Sequence, residues 1–343
     1  MYRVLLFTLL SVTALTSQGI VAQDKKEAPK TLPRIAINDP AKLKDDADFA
    51  MQGEYLVEGS KGAKKFNSAA QVVAKGGTNF DLVFYVGGLP GDGWDGNDAD
   101  RAMKGVRKDD TVEFRAVGVI TYKLKNGVIT NEIRYSAPVT QWKKVSRTSS
   151  TIDAKPPEGA VVLFGKPGDE ANWVGGKLVE LSDGKFLNAG IKSKQAFGSF
   201  NAHVEFRLPW MPNGRGQGRG NSGVYLQDRY EVQVLDSFGL KGENNECGGV
   251  YTQYKPLVNM CYPPMVWQTY DIDFTQAEFD ADGKKTKPAR LTMLHNGVKI
   301  HANVELKGPT GGGQPETAKP GPFQLQNHGD PVVYRNIWVV EKK

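Results

Sequence analysis

The feature that most constrains this chain is the recurrence of short runs in which apolar and polar residues alternate, each closed by a glycine or Asn-Gly turn. QVVAKG, FDLVFYVGG, TVEFRAVG and VITYKLKNGVIT occupy the first half; FGSFNAHVEFRLP, SGVYLQ, RYEVQVLDS, WQTYDIDF and VVYRNIWVVE follow in the second. A period of two belongs to a strand with one face buried and the other wet, and no helical period of any length competes with it. The 39 glycines and 19 prolines suit many short strands joined by turns. The expected fold class is all-β, with an antiparallel sandwich in the second half.

Composition shifts divide the chain. Residues 1–22 read as a secretory signal: Arg3 supplies the positive end, residues 4–15 an apolar stretch too short to anchor, and Ile20-Val21-Ala22 a small-residue exit. Residues 23–48 are polar and charged with little to bury, and are expected to be a flexible leader. A small β-rich domain is expected over 49–147, a linker stiffened by Pro156-Pro157 over 148–158, and a second β domain over 159–343. The signal implies an exported protein, periplasmic or extracellular.

Several classes of partner are excluded. The net charge of +6 comes from scattered lysines and arginines, with no basic stripe for nucleic acid. Outside the signal no apolar run is long enough for a membrane span. Nothing in the pattern sets an oligomeric state. Cys247 and Cys261 are the two cysteines; in an exported protein they are expected to form a disulfide, the alternative being two buried thiols. Their spacing does not make a metal site, the histidines form no ligand constellation, and no cofactor is expected.

Strand alternation singles out polar rows. In NAHVEFRLP, His203, Glu205 and Arg207 share one face; in RYEVQVLDS, Glu231 and Gln233 share another; in SGVYLQ, Tyr225 lies with Gln227. Three neighbouring strands would thus line one sheet face with hydrogen-bonding side chains. The glycine-rich loop GRGQGRGNS, ending at Asn221 and Ser222, borders them. It is no phosphate loop, because no lysine or helix follows it. A merely solvated outer face would show the same alternation.

The run from FGSFNAHVEFRLPWMPNGRGQGRGNSGVYLQDRYEVQVLDSFG through PPMVWQTYDIDF to LQNHGDPVVYRNIWV resembles the 3-keto-disaccharide hydrolase family, formerly a domain of unknown function. The likeness spans residues 159–342, and together with the phrase GGLPGDGWDG it looks like a planctomycete-type exported member. The resemblance implies a concanavalin A-like jelly roll and cleavage of glycosides whose C3 hydroxyl has been oxidised to a ketone, with a carbohydrate as the partner.

That chemistry suggests roles. A C3 ketone acidifies the C2 proton, so a base can remove it while the glycosidic oxygen leaves C1. Glu231 and His328, the latter in the QNHGD turn, are the expected proton-transfer residues, with Glu231 taking the C2 proton. Arg207 is expected to meet the enolate charge, and Gln233, Gln227, Tyr225, Glu205 and Asn221 to meet sugar hydroxyls. Glu205 and Arg207 are equally read as a same-face ion pair. The position two beyond Glu231 is Gln233, not an acid, so the two-carboxylate glucanase arrangement is not met on this strand. Trp210 and Trp94, in loops, are candidates for stacking on sugar rings. His295, before an Asn-Gly turn, is expected to be solvated. A lectin with no catalysis and a structural envelope protein are the competing readings.

Overall fold

Eight strands of the first half close into a barrel in the computed structural model, which describes residues 32–57, 68–96, 102–115, 120–133 and 140–342. The strands are Gly53–Val57, Ser68–Gly76, Asn79–Val86, Met103–Lys108, Thr111–Arg115, Ile120–Lys125, Val128–Ile133 and Gln141–Val145. Each runs antiparallel to the next, and the last pairs with the first through Leu56 and Lys143. The Asn126-Gly127 turn has positive φ at both residues, 49° and 72°, the geometry that matches strand twist in a two-residue hairpin. Alternate residues fill the interior: Tyr55, Phe80, Phe114 and Trp142 are packed around the small Ala70 and Ala74. The expected secretory signal lies outside the described residues.

Residues 33–48 correct the expectation of a flexible leader. Asp39 caps a 3-10 turn, Pro40–Leu43, by accepting from Ala41 N at 3.1 Å. Asp46 caps the helix Ala47–Met51 by accepting from Phe49 N at 2.9 Å. Ile37 pairs with Trp210 through two backbone hydrogen bonds, 3.0 and 2.7 Å. Apolar residues are few here, but backbone pairing and two aspartate caps need few.

Two sheets make up the second half. The smaller is ordered Trp173–Val174, Ile191–Phe197, Gly321–Leu325, Ser222–Leu226, Tyr230–Val234. The larger runs Leu178–Leu181, Gly184–Asn188, Val333–Glu341, Phe200–Arg207, Trp267–Thr275, Arg290–His295, Val298–Glu305, with Val161–Phe164 beside Val333–Glu341. Between them, Phe200, Val204, Phe206, Val224, Val232 and Phe323 form one continuous core. Residues 149–157 lie across the outer face of the larger sheet: Ser149 and Thr151 exchange hydroxyl hydrogen bonds with Thr269 at 2.6 and 2.8 Å.

Barrel and sandwich lie in one compact unit, Pro33–Lys343. Trp210, on the segment leaving the Phe200–Arg207 strand, is fully buried in the barrel core, edge-on to Phe49, and its indole donates to Asp46. It is a plug between the two bodies, not a sugar platform.

One further expectation, for His295, is corrected. Cys247 and Cys261 are buried side by side as thiols within hydrogen-bond reach of one another. Each has a polar neighbour: Cys247 Sγ stands 3.2 Å from the Tyr270 hydroxyl, and Cys261 Sγ 3.5 Å from the carbonyls of Leu235 and Tyr262. His295 is fully buried, 3.0 Å from Gln268 Oε1, and burial lowers its pKa to about 3. Its strand enters the core before turning at Asn296-Gly297.

Candidate active site

The core side of the smaller sheet takes Val224, Leu226, Tyr230, Val232 and Val234. Alternation therefore turns Tyr225, Glu231 and Gln233 to the opposite, concave face. Register places Tyr225 opposite Glu231 and Gly223 opposite Gln233. Gly223 leaves room for the acid: a β-carbon there would stand 2.3 Å from Glu231 Oε1.

Loops wall this face into a pocket of about 390 Å³. Gln217 and Asn221 come from the glycine-rich loop, Gly311 and Gly312 from the PTGGGQP loop, Gln326 and His328 from the QNHGD turn, and Tyr251 from the segment after Cys247. The glycine-rich loop rests on the barrel. Arg219 Nη1 donates to the Ala74 carbonyl at 3.2 Å while its Nε donates to buried Asp236 at 2.6 Å. The QNHGD turn is tied to the same loop, since Asn221 N donates to Asp330 Oδ2 at 2.7 Å.

Glu231 is nearly fully buried, and its backbone N–H donates to Thr310 Oγ1 at 2.8 Å. Its Oε2 lies 2.9 Å from the Tyr225 hydroxyl. Burial raises its carboxyl to about 7. Burial pushes the Tyr225 phenol well above its ordinary range. Gln233, with its amide turned over, donates to Glu231 Oε1 at 2.9 Å and to the Ser222 carbonyl at 3.3 Å. His328 is exposed at the mouth.

Thus Glu231, His328, Gln233, Asn221 and, through its hydroxyl, Tyr225 are brought together. Three expected site residues are not. Arg207 lies on the larger sheet, where it donates to Asp183 and to the Asn38 carbonyl and stacks over Trp267 and Phe186 at 4.9 and 5.0 Å. Glu205 accepts from Arg335 Nε at 2.7 Å, Asn336 Nδ2 at 2.8 Å and Asp153 N at 2.6 Å. Gln227 sits in the hairpin turn with φ 55°, its amide donating to the carbonyls of Phe197 and Gly198. Alternation fixes which residues of a strand share a face, not which sheet the strand joins. The Phe200–Arg207 strand joined the other sheet, so its polar row faces away. Tyr251, Gln217, Gln326 and Gly311-Gly312 were not anticipated; the glycine triplet 311–313 was the one visible signal for its loop.

A larger concavity of about 940 Å³ lies on the barrel wall, lined by Lys104, Lys108, Asp110, Glu113, Arg115 and neighbours. Its charged side chains are mainly exposed, whereas Glu231 in the smaller pocket is buried with its carboxyl raised to about 7, so the smaller pocket is the better candidate.

Residues 139–340 match the family model described as a 3-keto-alpha-glucoside-1,2-lyase-like domain. One solved structure, of a candidate glycosyl hydrolase from Parabacteroides distasonis, is 35% identical, with a TM-score of 0.48; the match covers 54% of this chain and 85% of that one. A second from the same organism is 18% identical at TM-score 0.37, covering 53% of this chain and 99% of its own. A comparison with curated proteins found no match.

Proposed function

Because this chain belongs to the 3-keto-α-glucoside-1,2-lyase-like family, we propose that its concave pocket cleaves 3-keto-glycosides by removal of the C2 proton and loss of the C1 oxygen. The observation that carries this reading is the pocket's acid inventory: among the described residues Glu231 is its one carboxyl, surrounded by amides, hydroxyls and the His328 ring. A two-carboxylate glycosidase needs a second acid about 5–10 Å away, and none of the described residues lining this pocket is one. A C3 ketone removes that need. The C2 proton becomes acidic enough for one base, and departure of the C1 oxygen needs one acid.

Glu231 and His328 supply that pair. Gln217, Asn221 and Gln326 are neutral donors suited to sugar hydroxyls and to the enolate oxygen. The product is an enone and the released alcohol; water adding across the enone would complete a hydrolysis. The apolar stretch of residues 4–15 supports an exported site of action.

Incubation with a 3-keto-glucoside and with the parent glucoside tests the reading. Release of the alcohol from the first alone is expected. Equal cleavage of both, or sugar binding with no turnover of either, would overturn it.

A further inference from the structure

The hydroxyl of Tyr225 touches three groups. The Gly311 carbonyl lies 2.6 Å away, Glu231 Oε2 2.9 Å and Gln326 Nε2 3.2 Å. A phenol has one proton and two lone pairs. The Gly311 carbonyl can only accept, and it is the nearest of the three, so it receives that proton. Gln326 Nε2 can only donate, and it occupies one lone pair. What remains for Glu231 is the second lone pair, which an ionised carboxylate cannot use and a protonated carboxyl can.

We propose that Tyr225 is a positioning residue that holds Glu231 as a carboxylic acid, and that Glu231 is therefore the acid of the reaction rather than its base. The proposal rests on the reading of the pocket given above. It reverses the role expected for Glu231 from sequence and leaves proton abstraction to His328.

The Gln233 contact fits the same assignment. Turned over, Gln233 donates to Glu231 Oε1 and leaves the proton on Oε2 free for Tyr225. Among the described residues the other titratable groups facing the pocket are Tyr251 and His328, and no lysine or arginine lines it. Tyr334 approaches from behind the sheet and is bonded to Ser222 Oγ at 2.6 Å. Asp330 is turned to Asn221 N and Arg34. Among the described residues no lysine or arginine sits beside the carboxyl to favour its ionised form, and burial raises its pKa to about 7.

In the reaction the Glu231 proton passes to the glycosidic oxygen as the C1–O bond breaks. The C2 proton passes to His328 as the C1–C2 double bond forms. Solvent then returns one proton to Glu231 and takes one from His328, so the two sides balance.

Two measurements on the full-length chain test this. Infrared titration of the free protein should show a protonated carboxyl below neutral pH that is missing in Glu231→Gln. In Tyr225→Phe that carboxyl should ionise at lower pH, because its acceptor is gone. Ionisation at higher pH in Tyr225→Phe would mean that Tyr225 was donating to a carboxylate, and would overturn the proposal. In turnover, Glu231→Gln should lose about 10²–10⁴-fold on a 3-keto-disaccharide, but less than tenfold on a 4-nitrophenyl 3-keto-glucoside, whose leaving group needs no acid. Equal loss on both would make Glu231 the base and overturn the assignment. A wild-type protein inert on both would instead sink the underlying reading, while the infrared result would still decide the proton's place.

Discussion

Gly223 stands directly beneath the Glu231 carboxyl, so close that any β-carbon there would come within 2.3 Å of Oε1. The obstructed atom is the far end of a flexible side chain. Gly223→Ala should therefore cost less than about 1 kcal/mol of stability, while swinging the carboxyl out of line and lowering kcat/KM by at least tenfold. Denaturant melts and kinetics on the same sample separate the two effects. Wild-type kinetics in Gly223→Ala would show that the carboxyl's position is immaterial.

Arg207 provides the opposite contrast. Its guanidinium is buried on the larger sheet among Asp183, Asn38, Trp267 and Phe186, away from the pocket. Arg207→Met should destabilise the fold by about 1–3 kcal/mol through lost charged hydrogen bonds and stacking. At temperatures where the variant is folded, kcat/KM should stay within a few-fold of wild type. A loss of a hundredfold there would return Arg207 to the chemistry.

These two residues show what sequence alone could and could not deliver. Period-two alternation reported the sandwich and the polar row of Glu231 and Gln233, because strand faces are a local property. It could not report that Phe200–Arg207 pairs with Trp267–Thr275 and Val333–Glu341 rather than with Ser222–Leu226, because sheet membership is set by contacts distant in sequence. Tyr251 escaped for the same reason, since it reaches the pocket from a segment with no pattern of its own, while Gln326 lies in the QNHGD turn that was read for His328 alone. Ile37 and Asp46 were hidden by polar surroundings, although each has one specific partner in Trp210.

That partner leads to a stability prediction. Trp210 is wholly buried inside the barrel core. Trp210→Ala should cost about 3–5 kcal/mol, in the range for deleting a large buried aromatic. It should also release residues 37–51, read as faster backbone hydrogen exchange there. Unchanged exchange in that segment would show that Trp210 does not hold it.

His203 gives a pH dependence. Burial lowers its pKa, but Asp271 at 2.6 Å and Glu205 at 3.2 Å outweigh burial, and the net shift is upward from 6.5. A group whose folded pKa is raised stabilises fully below its unfolded pKa and loses that contribution as pH rises through the folded value. The wild type should therefore lose stability from about pH 6.5 upward, and His203→Asn should lose less over the same interval. Melting temperatures at pH 6 and pH 9 measure this; equal drops in both proteins would rule out His203 as the source.

The central claim is that the C1–O bond breaks because the C2 proton is removed. A 3-keto-glucoside carrying deuterium at C2 tests it in one incubation. The account predicts that, in ordinary water, every cleaved molecule loses its deuterium to solvent, and that the labelled substrate turns over more slowly than the unlabelled one. Cleavage with the deuterium retained at C2 would contradict it and assign the pocket to direct hydrolysis at C1.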